Sequence, residues 1–433
     1  MSRPPNFIFI MADDLGYADL GCYGARADVS PNIDRMAREG LRFTQGYSNS
    51  PVCSPTRFAL ITGRYQYHLR GAADEPIHGR GPQRSLHGLP PAHPTMPSLL
   101  AASGYRTALI GKWHLGFEPN YGPLMSGYHE HFGLMSGGID YFMHTAPNGK
   151  HDLWLNGEPA HVDGYVTDLL SDRAIDFVER SAQAREPFLL SLHYTAPHWP
   201  WETRDDRELA KTLVGRSPHL DGGSVEVYQQ MIHHMDEGIG RLMATLERLD
   251  IDRNTIVVFT SDNGGERFSD NWPLVGGKMD LMEGGIRVPY VVRWPGRVAP
   301  GGVSAQPMMT MDWLPTYLEL AGVDAHPDYP MDGCSLVPWL DDARHQAPRE
   351  LFWRMKHNEQ RALRDGAWKY LAVAGHEYLF NLDQDARERA NLGKRHPERL
   401  AALRERWLAW NDRMPPIPAD ASVSLVYSKA DMP

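Results

Sequence analysis

The sequence predicts an α/β fold: a large, mostly parallel mixed sheet sandwiched by helices, then a small C-terminal antiparallel sheet with one helix. Three observations carry this. Short apolar runs alternate with helical patterns along most of the chain, as in a parallel sheet covered by helices. After "DWLPTYLELAGV" the pattern changes to short strand-like runs with no helices between them. At 433 residues the chain also exceeds the size at which a single core stops growing, so a second, smaller unit is expected.

In chain order, "NFIFIMADD" is a buried-strand run and "SPNIDRMAREGL" a helix with Gly40 near its end. "MPSLLAASG" is a helix and its stop, and "YRTALIGKWH" a strand. "VTDLLSDRAIDFVERSA" is an amphipathic helix, followed by the strand "PFLLSLHYTAPH". A long helix from about Ser224 to Arg248 leads into the strand "NTIVVFTSDNGG". From about Glu350, "LFWRM", "RALRDGAWKYLAV" and "EYLFNL" are short antiparallel strands, and "HPERLAALRERWLAW" is a closing helix. The chain divides into a catalytic unit at 1–345, a small α+β unit at 346–411 and a Pro-rich tail at 412–433. The loop from Arg70 to Pro94, crowded with Gly, Pro and His, is long enough to be a substrate-facing segment.

Composition narrows the function. With 42% hydrophobic and 23% charged residues the chain is neither disordered nor fibrous. The net charge of −10 is spread without a basic block, which excludes a nucleic-acid footprint, so an anionic substrate needs a local positive site. No apolar run approaches the length of a membrane span, and the N-terminus carries no recognisable leader, so a cytoplasmic protein with no membrane partner is expected. Three cysteines, Cys22, Cys53 and Cys334, cannot build a disulfide framework and lack zinc spacing.

Ligands of open α/β sheets collect where strands exit. The first strand delivers Asp13 and Asp14, another Lys112 and His114, another His198, and the last Asp262 and Asn263. Three carboxylates and an amide oxygen are hard ligands suited to calcium or magnesium, and without a cation they would repel one another. Arg57, Lys112 and Lys278, with His114 and His198, supply positive charge and proton donors for a tetrahedral oxyanion. The set points to hydrolysis of sulfate or phosphate esters. Trp199 and Trp201 flank His198 and either stack on an aryl group or sugar ring or simply pack in the core. His233, His234 and Asp236 resemble a metal cluster, but adjacent helix positions point about 100° apart, so they are read as structural.

Cys53 lies in a tight turn beside the start of the "FALITGR" helix, facing that anion site. A soft thiolate is a poor match for a calcium-type centre. The stretch "CSPTRFALITGR" resembles the signature of the type I sulfatases, C-x-P-x-R followed by a helix and T-G-R. "MADDLG", "GKWHLG", "TAPHWP", "SDNGG" and "GGKMDLMEGGIRVP" resemble that family's other blocks, in the expected order. Thr56 stands where serine is commoner.

The resemblance implies an arylsulfatase-like enzyme of the alkaline phosphatase superfamily. In it Cys53 is converted to formylglycine (3-oxoalanine) by a formylglycine-generating enzyme, and Asp13, Asp14, Asp262 and Asn263 hold Ca2+, or Mg2+, together with the oxygen of modified Cys53. A hydroxyl of the hydrated aldehyde attacks sulfur; His198, assisted by Lys278, protonates the departing alcohol. His114 then takes the proton of the second hydroxyl and sulfate leaves. Arg57 holds the diol and a metal carboxylate, and Lys112 reaches the diol and sulfate oxygens. The expected substrate is an aryl sulfate or a small-molecule or carbohydrate sulfate ester, with sugars such as 6-sulfated N-acetylgalactosamine as an analogy. Two other readings stand beside it: a phosphonate monoester or phosphodiester hydrolase, and an unmodified binder of sulfate or sulfated glycans. A homodimer whose tail crosses to a neighbour is also expected.

Overall fold

In the computed structural model, which describes residues 4–79, 87–214 and 222–424, ten strands form one twisted sheet. Their order is Gly302–Ser304, Leu41–Phe43, Tyr290–Arg293, Thr255–Ser261, Asn6–Ala12, Phe188–His193, Arg106–Gly111, Glu130–Gly133, Trp154–Leu155 and Glu158–Pro159. The five from Thr255–Ser261 to Glu130–Gly133 run parallel. Tyr290–Arg293 lies antiparallel to both its neighbours, and Trp154 to Pro159 add an antiparallel hairpin at the far edge.

The central strand shows why the sheet is covered on both faces. Ile8, Ile10 and Ala12 enter one core, with the helices Pro31–Glu39, Val166–Ala184 and Val225–Arg248. Phe7, Phe9 and Met11 enter the other, with the helices Cys53–Thr62, Met96–Ala102 and Trp313–Ala321. Side chains alternate with a period of two, so a strand apolar at every position must be buried twice. Caps place the helix ends: Thr95 accepts the Ser98 N–H, and Ser224 accepts that of Val227. Asp236 caps the Pro31–Glu39 helix from outside, taking the N–H groups of Asn32 and Ile33 at 3.0 and 2.8 Å. His233 pairs with Glu237 and the His234 ring packs edge-on to Tyr165. Each residue of the His233, His234 and Asp236 cluster thus has a structural contact.

The C-terminal sheet has four antiparallel strands, Glu350–Arg354, Arg361–Asp365, Trp368–Val373 and His376–Asn381, with the helix Pro397–Asn411 against it. Its core is shared: Trp353, Leu363 and Trp407 pack in one cluster with Val52, Ala59, Met279 and Leu281. Lys369, fully buried, pairs with Glu283 and Glu388 and ties this sheet to the short helix Glu283–Ile286. The described part of the tail, through Ser424, packs against the Arg70 to Glu75 segment. Ser422 N–H donates to Asp74, Glu75 and Val423 form a bridge, and Arg70 pairs with Asp420. Among the described residues no helix is long and apolar enough to cross a membrane.

Candidate functional site

The pairing of Ala12 with Ser261 brings two strand ends level, so Asp13 and Asp14 emerge beside Asp262 and Asn263. Asp262 N–H donates to Ala12 O at 3.2 Å, and Asp14 N–H to Asp262 Oδ1 at 3.3 Å. Cys53 opens the helix Cys53–Thr62, whose ten residues are all buried. Ligand atoms of Asp13, Asp14, Cys53 and Asp262 lie within 4.8 Å of one another. Asn263 is turned by two bonds from its amide nitrogen, to Asp14 Oδ1 at 2.7 Å and Gly264 O at 2.9 Å. Its Oδ1, like Asp13 Oδ1, is buried without a hydrogen-bond partner. Buried orphan oxygens are costly, and a hard cation is what such a set of oxygens can satisfy.

Three cations surround this cluster. Arg57, 1% exposed, directs Nε and Nη2 to Asp262 Oδ2 at 3.1 and 2.8 Å and Nη1 to Lys112 O. Lys112 Nζ bonds Asp13 Oδ2, and Lys278 Nζ bonds Asp14 Oδ2 at 2.7 Å. Burial, and next Asp262, push the Asp13 carboxyl up to about 8. Asp14 is buried too, yet Lys278, His198 and Lys112 hold it below the ordinary carboxylate range. The Cys53 thiol is pushed well above its usual value by burial, so an unmodified Cys53 is a neutral thiol rather than a ready nucleophile.

The two histidines are oriented by backbone carbonyls. His198 Nδ1 donates to Trp199 O at 2.6 Å, which turns Nε2 toward Asp14 Oδ2 at 3.6 Å. His114 Nε2 donates to Ile77 O at 2.8 Å, leaving Nδ1 buried and without a partner. Burial holds both imidazoles well below their usual pKa, helped by Lys112 at His114 and opposed by Asp14 at His198. Asp14 and His114 both adopt positive φ, 64° and 55°, a conformation non-glycine residues tolerate at a cost and that concentrates at functional sites.

Above Cys53 opens a cleft of about 750 Å³, walled by His114, His198, Lys278, Trp199, Phe117, Asp152 and Pro76 to Gly79. Of the Arg70–Pro94 loop, then, Pro76 to Gly79 face the cleft, while 80–86 lie outside the described residues. Trp199 lines the cleft and packs on the His198 ring at 4.8 Å. Trp201 does not line it: the ring packs edge-on to Phe268 at 4.7 Å in the core, so of its two readings the structure supports packing. The cleft is therefore built with one of the two tryptophans.

Several contributors carry no sequence signal. The carbonyls of Ile77 and Trp199 are backbone atoms, invisible to residue-type reasoning. Gly137 and Gly138 lie against the two imidazoles: a Cβ at Gly137 would fall 2.7 Å from His114 Cε1, and one at Gly138 3.0 Å from His198 Cε1. Ser54 Oγ accepts the Ile77 N–H at 2.9 Å, so the residue after Cys53 anchors the loop that orients His114. Thr56, the departure from the commoner serine, uses its hydroxyl to bond both backbone groups of Ser50, at 3.0 and 2.9 Å, closing the turn before Cys53.

Residues 5–323 match the family model described as Sulfatase, and residues 277–404 match one described as N-sulphoglucosamine sulphohydrolase, C-terminal. The chain is 34% identical over 371 residues to N-acetylgalactosamine-6-sulfatase of Rattus norvegicus, covering 81% of this chain and 68% of the relative. It is also 34% identical to steryl-sulfatase of Mus musculus, covering 81% and 67%. The chain thus spans about two thirds of the length of these mammalian relatives. A solved structure of Ps i-CgsB in complex with k-i-k-neocarrahexaose superposes with a TM-score of 0.83 at 32% identity, over 94% of this chain and 93% of that one. The phosphonate monoester hydrolase of Agrobacterium radiobacter shares the fold with a TM-score of 0.64 at 19% identity, over 94% and 96% of the two chains.

Proposed function

The chain belongs to the sulfatase family and is a sulfuric ester hydrolase, and we propose that it acts on a sulfated carbohydrate through a formylglycine made from Cys53 beside a divalent cation. The observation that carries the site reading is the convergence of Cys53 with Asp13, Asp14 and Asp262 within 4.8 Å, with Cys53 itself lining a large cleft. The donor set fits the cation: carboxylates, and the partnerless oxygens of Asp13 and Asn263, are ligands for calcium, with magnesium sharing the same oxygen chemistry. When bound, the cation supplies a Lewis acid that draws charge off the sulfate oxygens and off the oxygen of modified Cys53. The aldehyde hydrate supplies an oxygen nucleophile that carries a second hydroxyl for its own release.

Every other part is supplied by the chain. Arg57 and Lys112 hold the carboxylates in place and present charge to the sulfate. His198, with Nδ1 donating to Trp199 O, protonates the departing alcohol from Nε2 as the imidazolium, the form that the Asp14 carboxylate 3.6 Å from Nε2 favours against burial. Lys278 stands beside it on Asp14, 2.7 Å away, and steadies developing negative charge on the leaving oxygen. His114, with Nε2 committed to Ile77 O, has Nδ1 free to accept a proton, and burial keeps it the unprotonated base this needs.

The carbohydrate assignment rests on the cleft. Besides Trp199 and Phe117 its walls offer Glu118, Asn148, His151 and Asp152, a mixture of ring-stacking surface and hydroxyl-binding groups. Similarity to N-acetylgalactosamine-6-sulfatase, and to a structure holding a neocarrahexaose, supports the same class. The test is hydrolysis of a panel of sulfated saccharides, a steroid sulfate and an aryl phosphodiester, read as sulfate release for the sulfate esters and as phenol release for the phosphodiester. Saccharides with the highest kcat/KM support the reading, and a preference for the steroid or the phosphodiester contradicts it.

A further inference from the structure

Lys278 sits on a turn whose backbone is held from two sides. On one side, Met279 N–H donates to Pro51 O at 2.8 Å, tying the turn to the segment that runs into Cys53. On the other side stands Gln360, a residue of the C-terminal unit that is 2% exposed. Its side-chain amide donates from Nε2 to Met279 O at 2.7 Å and accepts at Oε1 from Leu281 N–H at 2.8 Å. Bonding the carbonyl of one residue and the N–H two residues on is what a neighbour in a parallel ladder does with its backbone. Here a single carboxamide does it, and only an amide side chain offers donor and acceptor together at that span.

The turn needs such support. Met279 has φ 73°, in the left-handed region that non-glycine residues adopt at a cost, and such a conformation persists only where the surroundings over-determine it. Lys278 and Met279 both line the cleft. Gln360 is fixed in turn, since its own carbonyl accepts the Met355 N–H at 2.9 Å within the small sheet unit. The carboxamide therefore joins the C-terminal unit to the catalytic floor through bonds that touch neither substrate nor cation.

We propose that Gln360 is a positioning residue for Lys278: its carboxamide holds the Met279 to Leu281 backbone in the turn that presents the Lys278 ammonium to Asp14 and the cleft. This rests on the reading that Lys278 assists departure of the alcohol. A group acting there matters little when the leaving group is an acidic phenol and much when it is an alcohol, because an alkoxide forms only with help. Loss of packing alone would slow both substrates alike.

The experiment compares wild type with Gln360→Leu, which keeps the bulk and removes both bonds, and with Gln360→Glu, which keeps the acceptor for Leu281. Each is assayed on p-nitrophenyl sulfate and on an alkyl sulfate, with unfolding temperature checked and hydrogen exchange followed in the peptide spanning residues 276–282. Gln360→Leu should lose about 10-fold or more in kcat/KM on the alkyl sulfate and less than about 3-fold on the aryl sulfate, with faster exchange confined to that peptide. Gln360→Glu should fall between. Equal losses on both substrates, or none, overturn the proposal. If neither variant folds, slow exchange at Leu281 in the wild-type protein supports the bond and fast exchange there refutes it. An inactive wild type would overturn the reading of the site instead, leaving Gln360 to be judged by exchange alone.

Discussion

His114 Nε2 lies 2.8 Å from the carbonyl oxygen of Ile77, and because a carbonyl only accepts, that nitrogen carries the proton. Nδ1 is then the basic atom, buried and partnerless at the cleft wall. This base serves the second half of the reaction. His114→Ala should release close to one equivalent of alcohol per enzyme in a burst and then turn over about 10² to 10³ times more slowly. A rapid-quench assay reads both phases, and loss of the burst along with turnover would move His114 to the first half.

Arg57 places two nitrogens on one oxygen of Asp262 with both side chains out of solvent. Removing one member of a buried pair strands the other, at a cost of about 3 to 5 kcal/mol. Arg57→Ala should therefore lower the unfolding free energy of the metal-free protein by about that amount, read as a lower urea midpoint. An unchanged midpoint would mean that the carboxylate cluster tolerates the loss by taking up a proton.

The fit of Asp13, Asp14, Asp262 and Asn263 to a hard cation makes bound metal a stabilising ligand. At a hundred times its dissociation constant such a ligand adds about 2.7 kcal/mol to folding. Chelation should lower the unfolding temperature and abolish hydrolysis, and calcium or magnesium should restore both. Asn263→Leu, which removes the partnerless oxygen, should weaken the calcium response measured by calorimetry; a response equal to wild type would take Asn263 out of the ligand set.

Glu75 accepts the N–H groups of Lys356 and His357 at 2.7 and 2.9 Å, joining the cleft loop to the C-terminal unit, and burial pushes it up to about 7. The ordinary value is 4.5, so between the two the unfolded chain gives up a proton that the folded chain keeps. Stability contributed at this position is full below 4.5, falls as pH rises toward 7, and is level above it, a span of about 3 kcal/mol. Glu75→Gln should flatten that part of the stability profile, measured by urea unfolding from pH 4.5 to 8.

Most of this arrangement is legible in the sequence because strands deliver residues in order. An apolar run ending in Asp13 and Asp14, and another ending in Asp262 and Asn263, place four polar groups at one sheet edge whatever the details of packing. Cys53, Arg57, Lys112, His114, His198 and Lys278 follow from their motifs. What is not legible depends on backbone atoms and on contacts far apart in the chain: the carbonyls of Ile77 and Trp199, the Gly137 and Gly138 contacts on the imidazoles, and the Gln360 amide. Trp201 shows the limit from the other side. An aromatic three residues from a site histidine reads equally as a substrate contact or as core packing, and only its neighbour Phe268, far along the chain, draws it into the core. The antiparallel strand Tyr290–Arg293 is hidden in the same way, since four buried residues carry no mark of their direction.

The chemistry of the site turns on the state of Cys53. The direct measurement is the mass of the peptide containing it, taken from protein made in a host that installs the aldehyde on a control sulfatase. The expected mass is that of an aldehyde or its hydrate in place of the thiol, in step with hydrolytic activity. An unmodified thiol in an actively hydrolysing preparation would contradict it.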